Sequence, residues 1–380
     1  MTRALLIIVC SAPVVLSACK EDPPVAAVTQ QTATPIDSSL GYFALSEEEK
    51  DPSSFEPLLE ENPEDYAARV AALTWYMSER DIDKLKRHTA LMIQHHPAES
   101  MIQFANSSAF YEDRQFLIDS IEQLEARFAS GANEHGVLWN LASLCEQAAI
   151  PPVGADPQQR AEFVRYYGLP DDTEFLTEVD EEFADKAVKY FRSAVDAGAE
   201  EDFYVVFYSE QLTTLLRGLD RIEEAVQVCE RALPHVDKSA NPDFLTTYGE
   251  ALWASRRIDE AKEALSSVRK RDAEGFEGGP GHATTLAETY LGLIALQEGD
   301  LTIAGEQLLS STRVQRCCHN ITKGFPLILA RRLVEVGEHE VVAEFCQVVA
   351  RDFTPDRPEL RTLLEQARSS PSSESDPSGS

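Results

Sequence analysis

The chain has 380 residues, 34 of them basic and 65 acidic, giving a net charge of −31, and 43% are hydrophobic. So strong an acidic balance lacks the basic footprint that nucleic acid requires and argues against nucleic acid as a partner and against the chain lying on an anionic lipid surface. The apolar content supports a core and the length suits one extended solenoid or two globular domains. The acidity either keeps the protein soluble or lines a groove for a basic partner.

In chain order, Thr2 and Arg3 precede an apolar stretch of 13 residues, Ala4 to Leu16. That length fits the apolar part of a signal peptide and is too short to span a bilayer core as a helix. Leu16-Ser17-Ala18-Cys19 follows, and this Leu-small-small-Cys pattern resembles the lipobox of bacterial lipoproteins. The resemblance implies a signal peptide over residues 1–18, cut before Cys19. It also implies lipid attachment at Cys19, with diacylglycerol on the thiol and an acyl chain on the new amino terminus. Two or more chains anchor a protein stably, at about 0.8 kcal/mol per buried CH₂. The next residue is Lys20 rather than the aspartate that retains such lipoproteins in an inner membrane. The resemblance therefore implies export to an outer membrane facing the periplasm, or otherwise to the outer face of the cell membrane.

Residues 19–55 read as a lipid-anchored flexible tether, because Lys20 to Pro52 is rich in Pro, Thr, Ala, Gln and Ser with little apolar periodicity. From 56 to 365 the pattern is helical and repeats itself. Asp220-Arg-Ile-Glu-Glu-Ala225, Arg257-Ile-Asp-Glu-Ala261 and Gly299-Asp-Leu-Thr-Ile-Ala304 place a small residue at the same point of successive helices. Twelve residues upstream of each stands another small residue, Thr213, Gly249 and Gly292. With Leu85, Ser120, Ala187 and Val342 the series extends in both directions, and its C-terminal intervals are 38, 36, 43 and 38 residues. Small residues at a crossing let antiparallel helices approach, and larger ones fill the gap to the next pair.

The pairs Tyr248-Gly249 and Leu291-Gly292, with the small-large-small helix after each, resemble the tetratricopeptide repeat (TPR). The resemblance implies an all-α fold: a right-handed α-solenoid of six or seven antiparallel helix pairs, whose first helices line a concave groove. Under that alignment the groove-facing positions are Phe207, Glu210, Thr214 and Arg217, then Asp243, Thr246, Glu250 and Trp253, then Leu286, Thr289, Leu293 and Leu296. An insertion at about 149–178, carrying Pro151-Pro152 and the aromatics Phe163, Tyr166 and Tyr167, separates a first helix at 135–148 from its partner at 179–197. Such an insertion forms a loop on one face, either functional or capping. Residues 366–380 form a Ser-rich disordered tail.

No pattern for a serine nucleophile elbow, a metalloprotease helix or a phosphate loop occurs, so the chain reads as a non-enzyme with no cofactor. Cys317-Cys318-His319 and His95-His96 are the nearest approach to metal ligands, but adjacent cysteines diverge on a helix and lack tetrahedral spacing. Cys229 and Cys346 fall at large-residue positions of the second helices, where they serve as core. The reading is an anchored interaction scaffold or assembly adaptor of the cell envelope, holding another envelope protein or a peptide segment that is basic if the groove is acidic. The alternative is an envelope enzyme or ligand-binding receptor that uses the 149–178 insertion as a lid.

Overall fold

The computed structural model describes residues 52–100, 102, 107–132, 134–150, 178–239, 242–275, 281–313, 327–352 and 358–369. Among these residues every regular element is an α-helix. The chain divides into two compact units, Met1–Glu200 and Glu201–Ser380, a division that falls inside the 56–365 stretch read as one domain.

The first unit carries α1 (Pro52–Glu61), α2 (Tyr66–Glu79), α3 (Ile82–His95), α4 (Ser107–Glu112), α5 (Arg114–Ala129), α6 (His135–Ala149) and α7 (Glu181–Ala197). Aspartates start most of them: Asp65, Asp81, Asp113 and Asp180 each accept a hydrogen bond from a backbone N–H of the following first turn. Helix α2 pairs with α3, α4 with α5 and α6 with α7, while α1 covers α2. The stretch read as a tether, 19–55, therefore overlaps α1. Pro52 to Phe55 is already helical, because Phe55 is buried with its ring edge-on to Tyr76.

Helix α6 packs against α7, the two helices that flank the 149–178 stretch. The Asp180 N–H donates to Ala149 O at 2.8 Å, and Arg114 of α5 donates to both Ala148 O (2.8 Å) and the Asp180 carboxylate (3.0 Å). The chain thus leaves α6 and re-enters α7 at one stapled point; residues 151–177 themselves lie outside the described residues. Arg114→Ala should cost about 1–3 kcal/mol, the usual loss for bonds to charged groups with partners left behind. Urea unfolding reads this out, and an unchanged midpoint would mean that the staple carries no stability.

The second unit carries α8 (Asp202–Gly218), α9 (Ile222–Ser239), α10 (Pro242–Ala254), α11 (Ile258–Gly275), α12 (His282–Gln297), α13 (Leu301–Ser310), α14 (Ile328–Glu335), α15 (His339–Asp352) and α16 (Pro358–Ser369). Pairs form between α8 and α9, α10 and α11, α12 and α13, and α14 and α15. First helices also pack on first helices, α8 on α10, α10 on α12 and α12 on α14, with α16 against α15. Neighbour-only stacking of helix pairs is the arrangement of an α-solenoid. The Ser-rich tail begins later than read, since α16 runs to Ser369 with Ala367 buried.

One turn recurs between the helices of a pair. Asp220, Arg256, Gly299 and Gly337 have φ of 59°, 65°, 83° and 94°, and stand 36, 43 and 38 residues apart, the same intervals as the helix repeat. Their N–H groups donate to Arg217, Trp253, Leu296 and Val334 O, and the following N–H groups to Leu216, Leu252, Ala295 and Leu333 O. This Schellman geometry satisfies the last carbonyls of the first helix and turns the chain back. Arg80, with φ of 57°, makes the same turn between α2 and α3.

The residues chosen as repeat markers, Leu85, Ser120, Ala187, Ala225, Ala261, Ala304 and Val342, are all at most 1% exposed. Their upstream partners show why small residues stand there. Thr213 Oγ1 lies 3.2 Å from Cys229 Sγ, whereas a Cβ added to Gly249 would come within 2.6 Å of Leu265, the residue equivalent to Cys229. A small residue on one helix is matched by a larger one opposite. Gly292 differs, because its added Cβ would collide with Leu329 of α14 and crowd Gln307 of α13. That glycine admits the next pair as well as its own.

Candidate partner-binding face of the second unit

Helices α8, α10 and α12 lie side by side, so their common face is the place to look for the predicted groove residues. Phe207, Glu210, Thr214, Arg217, Glu250, Trp253, Leu286 and Leu296 are half-buried and Asp243 is exposed. Thr246, Thr289 and Leu293 are buried instead. The two threonines spend their hydroxyls on backbone carbonyls, Thr246 on Ala283 O at 3.4 Å and Thr289 on Thr285 O at 2.8 Å. On α12 the accessible line runs through Leu286, Tyr290 and Gln297, one residue later than Thr289 and Leu296. A shift of one residue rotates a helical position by about 100°, enough to turn Thr289 inward.

Three side chains meet where the helices adjoin. Arg217 of α8 donates to the Glu250 carboxylate of α10, and the Tyr290 phenol of α12 lies within the electrostatic reach of both. The side chains of Arg217 and Glu250 are only 16% and 12% exposed. Burial works against the Arg217 charge, but Glu250 and Tyr290 outweigh it and leave the guanidinium more firmly protonated than usual. Burial, then the Glu250 charge, push the Tyr290 phenol well above its ordinary range, so it stays neutral.

Trp253 adjoins this cluster. Its ring stands edge-to-face with Tyr290 at 5.5 Å and 66°, and its indole N–H donates to Gln297 Oε1 at 3.3 Å. At the start of α8, Phe203 is 45% exposed and stacks on Phe207 at 5.9 Å. Such half-buried aromatic groups with one polar edge are the residue types that anchor partners. Tyr290, Gln297 and Phe203 were missed from sequence. The spacing 286, 290, 297 on one helix stripe was the available signal for the first two, and Phe203, one turn before Phe207, was the signal for the third.

Elsewhere the described cysteines behave as core. Cys145, Cys229 and Cys346 are free and buried, and burial pushes their thiols up to about 12, 12 and 11, which suppresses thiolate chemistry. Thr213 gives its hydroxyl proton to Ser209 O, so the Cys229 thiol donates to Thr213. His95 and His96 both turn to Glu64, the former to its carboxylate at 3.4 Å and the latter to its carbonyl at 2.9 Å. Among the described residues no group of three His, Cys, Asp or Glu side chains is placed to hold a metal ion, and no helix is long and apolar enough to cross a membrane. Cys19, the leader, Cys317, Cys318 and His319 lie outside the described residues.

The described residues define an all-α protein of stacked helix pairs. No family model matches the chain, and no curated protein matches it. Among solved structures it is similar to YrrB, a TPR protein described as having an unusual peptide-binding site, at 11% identity over 65% of this chain and 97% of that one, with a TM-score of 0.33. It is also similar to the nearly identical TPR-like repeats of a kinesin light chain from Podospora anserina, at 17% identity, 56% and 92% coverage and a TM-score of 0.31. The fold class rests on the helix pairing itself, not on these likenesses.

Proposed function

We propose that this chain is an exported lipoprotein, anchored through Cys19, whose second unit holds a segment of another envelope protein and so acts as a scaffold or assembly adaptor. The observation that carries the binding half of this reading is the shared face of α8, α10 and α12. There an aromatic pair, Trp253 and Tyr290, borders a charged cluster built from three successive helix pairs. An extended partner segment crossing these helices would meet apolar, aromatic and acidic groups in turn. The anchoring half rests on Leu16-Ser17-Ala18-Cys19 and on its resemblance to the lipobox, which implies an outer membrane facing the periplasm.

The two halves are tested separately. Cys19→Ala should leave the leader uncleaved, or release the protein from membranes after ordinary cleavage. A soluble, unmodified mature chain with Cys19 intact would end the anchor reading. Crosslinking from membranes, followed by capture, should recover one specific envelope protein. Its binding to this acidic chain should weaken with salt, because charge steering acts within a Debye length of about 8 Å.

A further inference from the structure

The twelve groove positions include the acids Glu210, Asp243 and Glu250 but a single cation, Arg217, and that cation is already bonded within the protein. Its guanidinium is held by Glu250, and the Tyr290 phenol from a third helix pair lies within the electrostatic reach of both. Side-chain exposures of 16% and 12% leave little of either charge open to solvent. Burial of such an ion pair is weak evidence for a stabilising role, since apolar residues of similar size often serve as well. Its position gives it another consequence. The cluster borders Trp253 through Tyr290, so whatever seats against the tryptophan also meets the charges.

If the face of α8, α10 and α12 is the partner-binding surface, on which this inference rests, then we propose that the Arg217–Glu250–Tyr290 cluster sets its charge preference. Held by Glu250 and only 16% exposed, the Arg217 charge is already neutralised by its neighbour and gives an incoming carboxylate little net attraction. The face therefore takes a segment with an apolar side chain between basic ones, and turns away acidic segments and chain-terminal carboxylates. Glu250 thus acts as a specificity-determining residue through Arg217: losing the carboxylate would release a guanidinium onto the face and invite anions.

The test uses the full mature chain in detergent and two short peptides blocked at both ends, with a central leucine flanked by lysines in one and by glutamates in the other. Affinities are compared as a basic-to-acidic ratio, because the overall negative charge alone gives some preference for lysine. Glu250→Gln should lower that ratio about tenfold or more, the scale of a close charge pair. Glu260→Gln removes an equal charge from α11, where Glu260 pairs with Arg257, and should change the ratio by less than about twofold. Arg217→Met frees Glu250 and should raise the ratio, which supplies the opposite arm should Glu250→Gln melt below the assay temperature. The pair replaced together by methionine should return it near wild type. If peptide binding depends on Trp253 yet the ratio in Glu250→Gln matches that in Glu260→Gln, the cluster is structural only and the inference fails alone. If neither peptide binds any variant, the partner-binding reading of the face fails with it.

Discussion

Replacing Gly249 by threonine is expected to destabilise the second unit by about 1–3 kcal/mol, the usual cost of overpacking a close crossing. An added Cβ would approach Leu265 Cγ and Cδ2 to 2.6 Å, closer than real contacts allow. The neighbouring repeat already contains the compensating combination, Thr213 against Cys229. Adding Leu265→Cys to Gly249→Thr should therefore recover most of the loss, giving a coupling of about 0.5–3 kcal/mol in a double-mutant cycle. Urea midpoints of the four chains measure it. Strictly additive effects would show that the two positions do not complement one another as the packing requires.

Glu146→Gln should stabilise the first unit in alkaline solution. Glu146 is 5% exposed on α6, and burial raises its carboxyl from 4.5 to about 8. A raised folded value means that the folded chain holds the proton more tightly than the unfolded one. The resulting stability is complete below pH 4.5 and is lost as pH rises to 8, by about 5 kcal/mol at most. Glutamine does not titrate, so the variant should keep its midpoint over that window while wild type falls. His88 runs the other way. Burial, then Arg69, lower it to about 4 from 6.5, so its contribution is present above pH 6.5 and lost as pH falls toward 4. Unfolding followed through Trp75 and Trp139 in a Trp253→Phe chain separates the first unit from the second. An alkaline loss that survives in Glu146→Gln would assign it to another group.

These two residues also mark what could be read in advance. The second helices were legible because Ala187, Ala225, Ala261 and Ala304 stand where neighbouring helices cross, and a small buried residue repeating at a near-fixed interval has few other causes. The turns between paired helices were half visible. Gly299 and Gly337 announce a positive φ, but Arg80, Asp220 and Arg256 adopt the same left-handed conformation with side chains that normally avoid it. The face of α12 was only partly legible because apolar and polar groups alternate there without a sharp stripe: Leu286 and Leu296 are half-buried while Thr289 and Leu293 go inside. Burial of Glu146, Arg69 and His88 leaves no signal in the sequence, since such groups are buried only where a local arrangement compensates them. For Arg69 and His88 that arrangement is visible: Arg69 donates to His88 Nδ1 at 2.9 Å, Tyr76 stacks on the imidazole at 5.3 Å, and the Tyr76 hydroxyl donates to Glu56. Contacts such as these, between residues 12 to 20 apart in the chain, leave no periodic trace.

The central claim is that the second unit binds a partner across α8, α10 and α12, and Trp253 tests it most directly. The crosslinked envelope protein should be titrated against the mature chain and its Trp253→Ala variant, with thermal midpoints recorded on the same samples. The account predicts that affinity falls at least tenfold, as at an aromatic hot spot, while the helical signal and the midpoint stay near wild type. Unchanged affinity in a folded variant would contradict it, and a lowered midpoint would place Trp253 in the core instead of on the face.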